Sequence, residues 1–157
     1  MAGGNRRNIV AALAALLMLS ACGGAPPPPA VVQLSLAAGP NINPDGMGHP
    51  SPVQVRVFQL ASPYRFERAD FFQLADNERA ALGTDLINRD SVIIPPGRTN
   101  RLTIQMKHGA DYLGIAASFR DIDKAKWRAV VPIPASGKVA IAVTIRGLSL
   151  TAAASSP

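Results

Sequence analysis

Val139-Ala140-Ile141-Ala142-Val143-Thr144-Ile145 places a large apolar side chain at every second position and a small or polar one between. Successive side chains of a strand point to opposite faces, so this period of two reads as a strand that buries Val139, Ile141, Val143 and Ile145. The same pattern recurs upstream. Leu102, Ile104 and Met106 alternate with Arg101, Thr103 and Gln105, and Val53, Val55 and Val57 with Gln54 and Arg56. Val32, Leu34 and Leu36 alternate with Gln33 and Ser35. Further strand signals are Leu86-Ile87, Val92-Ile93-Ile94, the set Leu113, Ile115, Ala117 and Phe119, and Trp127 to Ile133, with Leu148 to Leu150 as an added edge. Pro95-Pro96-Gly97, His108-Gly109-Ala110-Asp111 and the polar run Asp121 to Lys126 are the turns between them. Seven or eight short strands at regular spacing predict a mainly β fold, an antiparallel β-sandwich, with barrel closure as the alternative architecture.

Two stretches break the pattern. Residues 62–83 read as a small helical insertion. Ser62-Pro63 suits a helix start, Asp76-Asn77 a second cap, and Ala80-Ala81-Leu82-Gly83 a short helix ended by glycine. Phe66, Phe71 and Phe72 lie within it, and aromatics at that density read as packing rather than as a ligand platform. The second break is Ala38 to Pro52, rich in Gly, Pro and Asn, with Pro44-Asp45-Gly46 as a turn signal. It is far longer than a hairpin loop of two to five residues, and it carries Ile42 and Met47 outside any strand period. Such a loop is either a contact surface or a flexible connection.

Upstream of the strands, Arg6 and Arg7 precede an apolar run of 11 residues, Ile9 to Leu19. A bilayer span needs roughly 20 apolar residues, so this run suits the core of a signal peptide instead. It ends at Leu19-Ser20-Ala21-Cys22, which resembles the lipobox of bacterial lipoproteins; Cys22 is the only cysteine. The resemblance implies that residues 1–21 are removed and that Cys22 carries acyl chains. Gly-Gly-Ala-Pro-Pro-Pro-Pro-Ala at 23–30 then reads as a spacer of polyproline type reaching about 25 Å. The expected division is a signal peptide at 1–21, lipidated cysteine and spacer at 22–30, a sandwich domain at 31–151 and a flexible tail at 152–157.

Composition narrows the function. The whole chain has 16 basic and 10 acidic side chains; removing Arg6 and Arg7 leaves 14 against 10, a charge of +4 with histidines neutral. With Cys22 acylated no disulfide is available, so the fold rests on its hydrophobic core. His49 and His108 lie at no metal-ligand spacing from Cys, Asp or Glu, and Asp121 and Asp123 lack the rest of a calcium loop. No Gly-x-Ser-x-Gly, phosphate loop or dinucleotide fingerprint occurs. Arg120, Lys124, Lys126 and Arg128 cluster, but Asp121 and Asp123 dilute them into a solvated face, and nucleic acid is not an expected partner. No cofactor and no catalytic residue is indicated.

Pro52-Val53-Gln54-Val55-Arg56-Val57-Phe58-Gln59-Leu60 is followed by Phe66, Ala69-Asp70-Phe71-Phe72 and Leu74. Beyond these come Pro96-Gly97, Tyr112-Leu113-Gly114-Ile115-Ala116-Ala117-Ser118-Phe119-Arg120 and Trp127-Arg128. In this order, behind a lipobox, the chain resembles the type VI secretion lipoproteins of the TssJ (VasD, SciN) family over roughly 31–150. The resemblance implies a transthyretin-like sandwich on the periplasmic face of the outer membrane, held by acyl chains on Cys22. It implies a structural role, not an enzymatic one. The partner would be the periplasmic C-terminal region of TssM in the TssJ–TssL–TssM complex. It also favours the contact reading of the long loop, with Asn41, Ile42, Asn43, Pro44, Asp45 and Met47 as the partner-binding residues. A lipid-anchored module for a small molecule or glycan is the alternative function.

Overall fold

The computed structural model describes residues 27–155; the expected signal peptide, Cys22 and the first half of the expected spacer lie outside the described residues. The alternating stretches become eight strands: β1 Val31–Ala38, β2 Val53–Leu60, β3 Leu86–Ile94, β4 Thr99–Gln105, β5 Tyr112–Ser118, β6 Arg128–Pro132, β7 Lys138–Arg146 and β8 Ser149–Ser155. They form two four-stranded sheets, β4-β1-β7-β8 and β3-β2-β5-β6. The two inner faces make one core. Val32, Leu34, Leu36, Ile141, Val143 and Ile145 from the first sheet meet Val53, Val55, Val57, Leu113, Ile115 and Ala117 from the second. Val139, expected with its three neighbours, is only half-buried at the end of the sheet.

The fold is a β-sandwich, with one local departure from antiparallel pairing. β1 runs parallel to β7, Leu34 opposite Ile141, and antiparallel to β4, Leu34 opposite Leu102. β1 and β7 are the first and seventh strands, joined by no hairpin, so nothing local forces them antiparallel. On one side the sandwich is drawn together by a bridge between Lys126 and Ser149. The tail also departs from expectation. β8 continues to Ser155, with Ala152, Ala153 and Ala154 opposite Val143, Ala142 and Ile141. Alanine has little strand preference of its own, but the backbone of β7 needs partners on its second edge.

The insertion folds as α1 Tyr64–Arg68, α2 Phe71–Asp76 and α3 Glu78–Leu82, lying on the outer face of the second sheet. That cover explains why β2, alternating at its start, is buried on both faces from Val57 to Leu60. A second apolar cluster forms there from Phe58, Leu60, Phe66, Leu74, Leu82 and Ala116. Phe66 stacks obliquely on Phe58, ring centres 5.4 Å apart. Gly114 makes the approach possible, because a Cβ there would lie 2.8 Å from Leu60 Cδ1 and 3.1 Å from Phe66 Cζ. The aromatic segment divides: Phe66 is core, Phe71 is half-buried against Trp127, and Phe72 is exposed.

Caps set the helix boundaries. Asp70 and Gln73 form a reciprocal capping box on α2, and Asn77 caps α3 through the Ala80 N–H. Two arginines then fasten the insertion. Arg56 and Arg128 lie on either side of Ala116 in one cross-strand row. Arg128 Nη1 donates to the Phe66 and Ala69 carbonyls, and Arg56 Nη1 to those of Leu74 and Ala75. These are carbonyls left without partners where α1 and α2 end. Burial lowers the Arg128 pKa from its ordinary value, and the guanidinium also stacks on Trp127 at 4.5 Å. Among the described residues no helix is long and apolar enough to cross a membrane.

Candidate partner interface

Strand direction separates two poles. At the pole where β1 begins, Ala30 is buried and its carbonyl accepts from the Met106 N–H, while Pro29 O accepts from Gln105 Nε2. At the pole where β1 ends lie the 39–52 loop, the β3–β4 turn and the connections around residues 120–127 and 147–148. The spacer and the long loop therefore sit at opposite ends of one strand.

The loop is built, not loose. Its first half is stitched to neighbouring connections: Gly39 N–H donates to Ile145 O at 2.9 Å, Gly97 N–H to Gly39 O at 2.9 Å, and Ser51 N–H to Ile42 O at 3.1 Å. Ile42 is fully buried in the main core. Asn43 is 3 % exposed and takes the left-handed conformation, φ 46°, which asparagine tolerates better than most residues. Its amide bridges two segments, Nδ2 donating to Pro52 O and Oδ1 accepting from the Arg120 N–H, each at 2.8 Å.

The second half is a tight turn around one carboxylate. Asp45 Oδ1 accepts from the Met47 and His49 N–H groups, both at 2.9 Å, and Oδ2 lies 3.2 Å from His49 Nδ1. The His49 amide does most to hold this carboxyl below its ordinary value of 3.8; burial opposes it, and the Met47 amide, the His49 ring and the charge of Arg120 add to the lowering. Gly48, at φ 86°, closes the turn by donating to Asp45 O. Met47 is thereby lifted into solvent, 80 % exposed.

Of the six loop residues expected to meet a partner, Asn41 and Met47 are exposed, and Pro44 and Asp45 are partly so. Ile42 and Asn43 are corrected: both are buried, one as core and one as brace, so neither offers a contact surface. Ile42 falls outside any strand period because it enters the core from a loop. The structure brings to the loop residues that the sequence assigns to a solvated face or to an edge strand. Pro44, Asp45 and Gly46 form one wall of a cleft of ≈ 370 Å³ whose other wall is Arg120, Asp121 and Leu148. The basic cluster also splits: Arg128 turns to the helices, while Arg120 and Lys126 remain exposed. His49, read as having no acidic neighbour at ligand spacing, contacts Asp45; among the described residues no three His, Cys, Asp or Glu side chains form a metal-holding group.

A second cleft, ≈ 400 Å³, lies between β2, β3 and the α2–α3 corner. Its polar groups are turned on each other, Arg89 Nε on Glu78 Oε1 at 2.8 Å and Arg56 on the helix carbonyls.

Residues 30–148 match the family model of the type VI secretion lipoproteins (VasD, EvfM, TssJ). No curated protein matches the chain. Among solved structures, the type VI lipoprotein TssJ1 of Pseudomonas aeruginosa is similar at 32% identity and a TM-score of 0.79, covering 83% of this chain and 99% of that one. Lip of Serratia marcescens, a membrane-bound component of the type VI secretion system, follows at 26% identity and 0.71, over 82% of this chain and 99% of its own. A chain in a structure described as the TssM C-terminal domain from EAEC shares 28% identity at a TM-score of 0.64, over 78% and 99%. With the family matched over residues 30–148 and a lipoprotein of that family alike in both sequence and fold, the chain belongs to the type VI secretion lipoprotein family of TssJ.

Proposed function

We propose that this lipoprotein ties the periplasmic C-terminal region of TssM to the outer membrane and is a structural part, not an enzyme, of the TssJ–TssL–TssM complex. The observation that carries the reading is the placement of the spacer and the Met47 turn at opposite ends of β1. β1 has eight residues, so the two are separated by about 25 Å of strand at ~3.3 Å per residue. Acyl chains on Cys22 would hold the first pole near the lipid; the loop pole then faces the periplasm, where TssM must be met.

Because Pro29 and Ala30 pack on the domain, the spacer's reach is shorter than the ~25 Å that its eight residues would span at the polyproline rise of ~3.1 Å each. One acyl chain anchors only marginally and stable attachment takes two or more hydrophobic signals, so the anchorage depends on full processing of Cys22. Gly23 follows the cysteine where inner-membrane lipoproteins carry aspartate, which supports the outer membrane.

Two variants test the two ends. Cys22→Ser is expected to leave the membrane fraction without acylated protein. Met47→Asp is expected to keep the urea midpoint and membrane location but to abolish capture of the periplasmic TssM region by the detergent-extracted lipoprotein. Unchanged capture with Met47→Asp sinks the loop as the contact, and wild-type protein sedimenting with the inner membrane sinks the location.

A further inference from the structure

On the pole of the Met47 turn stand four exposed cations: Arg98 in the β3–β4 turn, Arg120 and Lys126 in the β5–β6 connection, and Arg146 at the end of β7. Arg98 ends the β3–β4 turn, and its carbonyl accepts from the Ala38 N–H where β1 stops. Arg120 follows β5 and is fixed by its backbone bond to Asn43. Lys126 is held by paired backbone bonds to Leu148 and Leu150, and Arg146 closes β7 opposite Ser149. None of the four is ion-paired among the described residues.

The acids of this pole are differently placed. Asp121 is taken by Lys124 at 2.8 Å, and Asp45 is spent on the His49 and Met47 amides. Only Asp123 stands exposed and unpaired among them. Asp45 keeps its charge, so Asp45 and Asp123 set against the four cations leave the crescent around the apolar tip two positive charges in excess. Since the pole points away from the spacer, a lipid surface is not the occupant that this geometry favours.

We infer that the loop pole binds an acidic protein surface, with Met47 as the apolar anchor and Arg98, Arg120, Lys126 and Arg146 as a steering and orienting rim. The inference rests on the loop as the partner contact and names the chemistry that the partner must present. Anchors and rims leave different kinetic marks. A buried apolar anchor sets the dissociation rate, whereas unpaired rim charges raise the association rate and make it sensitive to salt. The Asp121–Lys124 pair is neutral, and the Asp45 carboxylate is turned onto its own Met47 and His49 amides, so an acidic side chain entering the cleft pairs with Arg120.

The test follows binding of the detergent-extracted lipoprotein to the immobilised periplasmic TssM region, between about 0.05 M and about 0.5 M salt, a range over which screening of exposed charges strengthens severalfold. Arg120→Glu with Lys126→Glu is expected to slow association about tenfold or more at low salt, to flatten the salt dependence, and to leave dissociation and the urea midpoint near wild type. Met47→Asp is expected to speed dissociation instead. If the double reversal leaves association unchanged while Met47→Asp destroys binding, the crescent falls and the loop contact stands. If neither variant matters, both fall. Wild-type protein that binds phosphatidylglycerol vesicles through these same residues, but shows no salt-dependent association with TssM, overturns the assignment to a protein partner.

Discussion

The backbone N–H of Arg120 donates to the side-chain oxygen of Asn43 at 2.8 Å, joining loops 77 positions apart. Asn43 also donates through Nδ2 to Pro52 O, and its own N–H donates to Gly147 O. One buried residue with φ 46°, through its side chain and its backbone N–H together, therefore braces the β1–β2, β5–β6 and β7–β8 connections. A loop of that length would otherwise sample many shapes and lose entropy on binding. Held in this way, it presents Met47 in one place, which lowers the ordering cost of recognition.

Asn43→Ala should cost about 2–4 kcal/mol in a urea melt. It strands the Arg120 N–H and the Pro52 carbonyl, each worth ~1–3 kcal/mol when left unsatisfied, and it forces a Cβ residue without a local partner into a left-handed conformation. Asn43→Gly should recover the backbone part but not the bonds, and so fall between alanine and wild type. Equal midpoints for all three proteins would show that Asn43 is not the brace.

Gly114→Ala should destabilise by roughly 1–3 kcal/mol through overpacking. The new methyl would lie 2.8 Å from Leu60 Cδ1 and 3.1 Å from Phe66 Cζ, both fully buried, so α1 has to move off the sheet. Faster proteolysis within 62–83, ahead of global unfolding, is the expected accompaniment. Wild-type protease resistance together with an unshifted midpoint would mean that the Phe66 contact is softer than its geometry.

Most of the sandwich was legible because its signals are local. The alternation of 139–145 and 53–57 needs no tertiary knowledge, and it correctly assigned Ile141, Val143, Val53 and Val55 to the core. Three features were not legible, for a common reason: each depends on what lies opposite. β1 pairs with β7 in parallel across more than 100 positions of sequence. Alanines 152–154 become strand only because β7 has a bare edge. Ile42 looked like an exposed anchor because a loop has no period from which burial can be read, yet it fills the end of the core. Ile42→Ala should accordingly cost the 2–5 kcal/mol typical of a buried isoleucine, where a surface contact would cost almost nothing.

Arg128→Lys should fail to substitute. One guanidinium nitrogen reaches the Phe66 and Ala69 carbonyls at 2.9 and 2.6 Å while the plane stacks on Trp127, and an ammonium on a longer free stem offers no planar face for that stack. About 1–3 kcal/mol should be lost, similar to Arg128→Ala, with Trp127 fluorescence shifting toward that of a more hydrated indole. Full rescue by lysine would show that the charge alone, not the fork and the stack, fastens α1.

Acid should loosen the Met47 turn before it unfolds the sandwich. The Asp45 carboxyl titrates below its ordinary value of 3.8, chiefly because it accepts the His49 amide, so in the folded loop it stays charged at pH values where a free aspartate would already bind a proton. A group of this kind contributes its stabilisation fully above the unfolded value and loses it as pH falls through the lowered one. Between pH 7 and about pH 5 the turn should therefore be indifferent to the Asp45 carboxyl. As pH falls below 3.8 and through the lowered value, protonation weakens the acceptor for the Met47 and His49 amides, and the turn opens while Asn43, which has no titrating group, keeps the first half of the loop in place. Amide signals of Met47 and His49 followed against pH should move together in this acid range, and those of Asn43 and Ser51 should not. Asp45→Asn should abolish the transition. A concerted shift of all four amides would mean that the loop melts as one unit and that the Asn43 brace does not isolate its base from its tip.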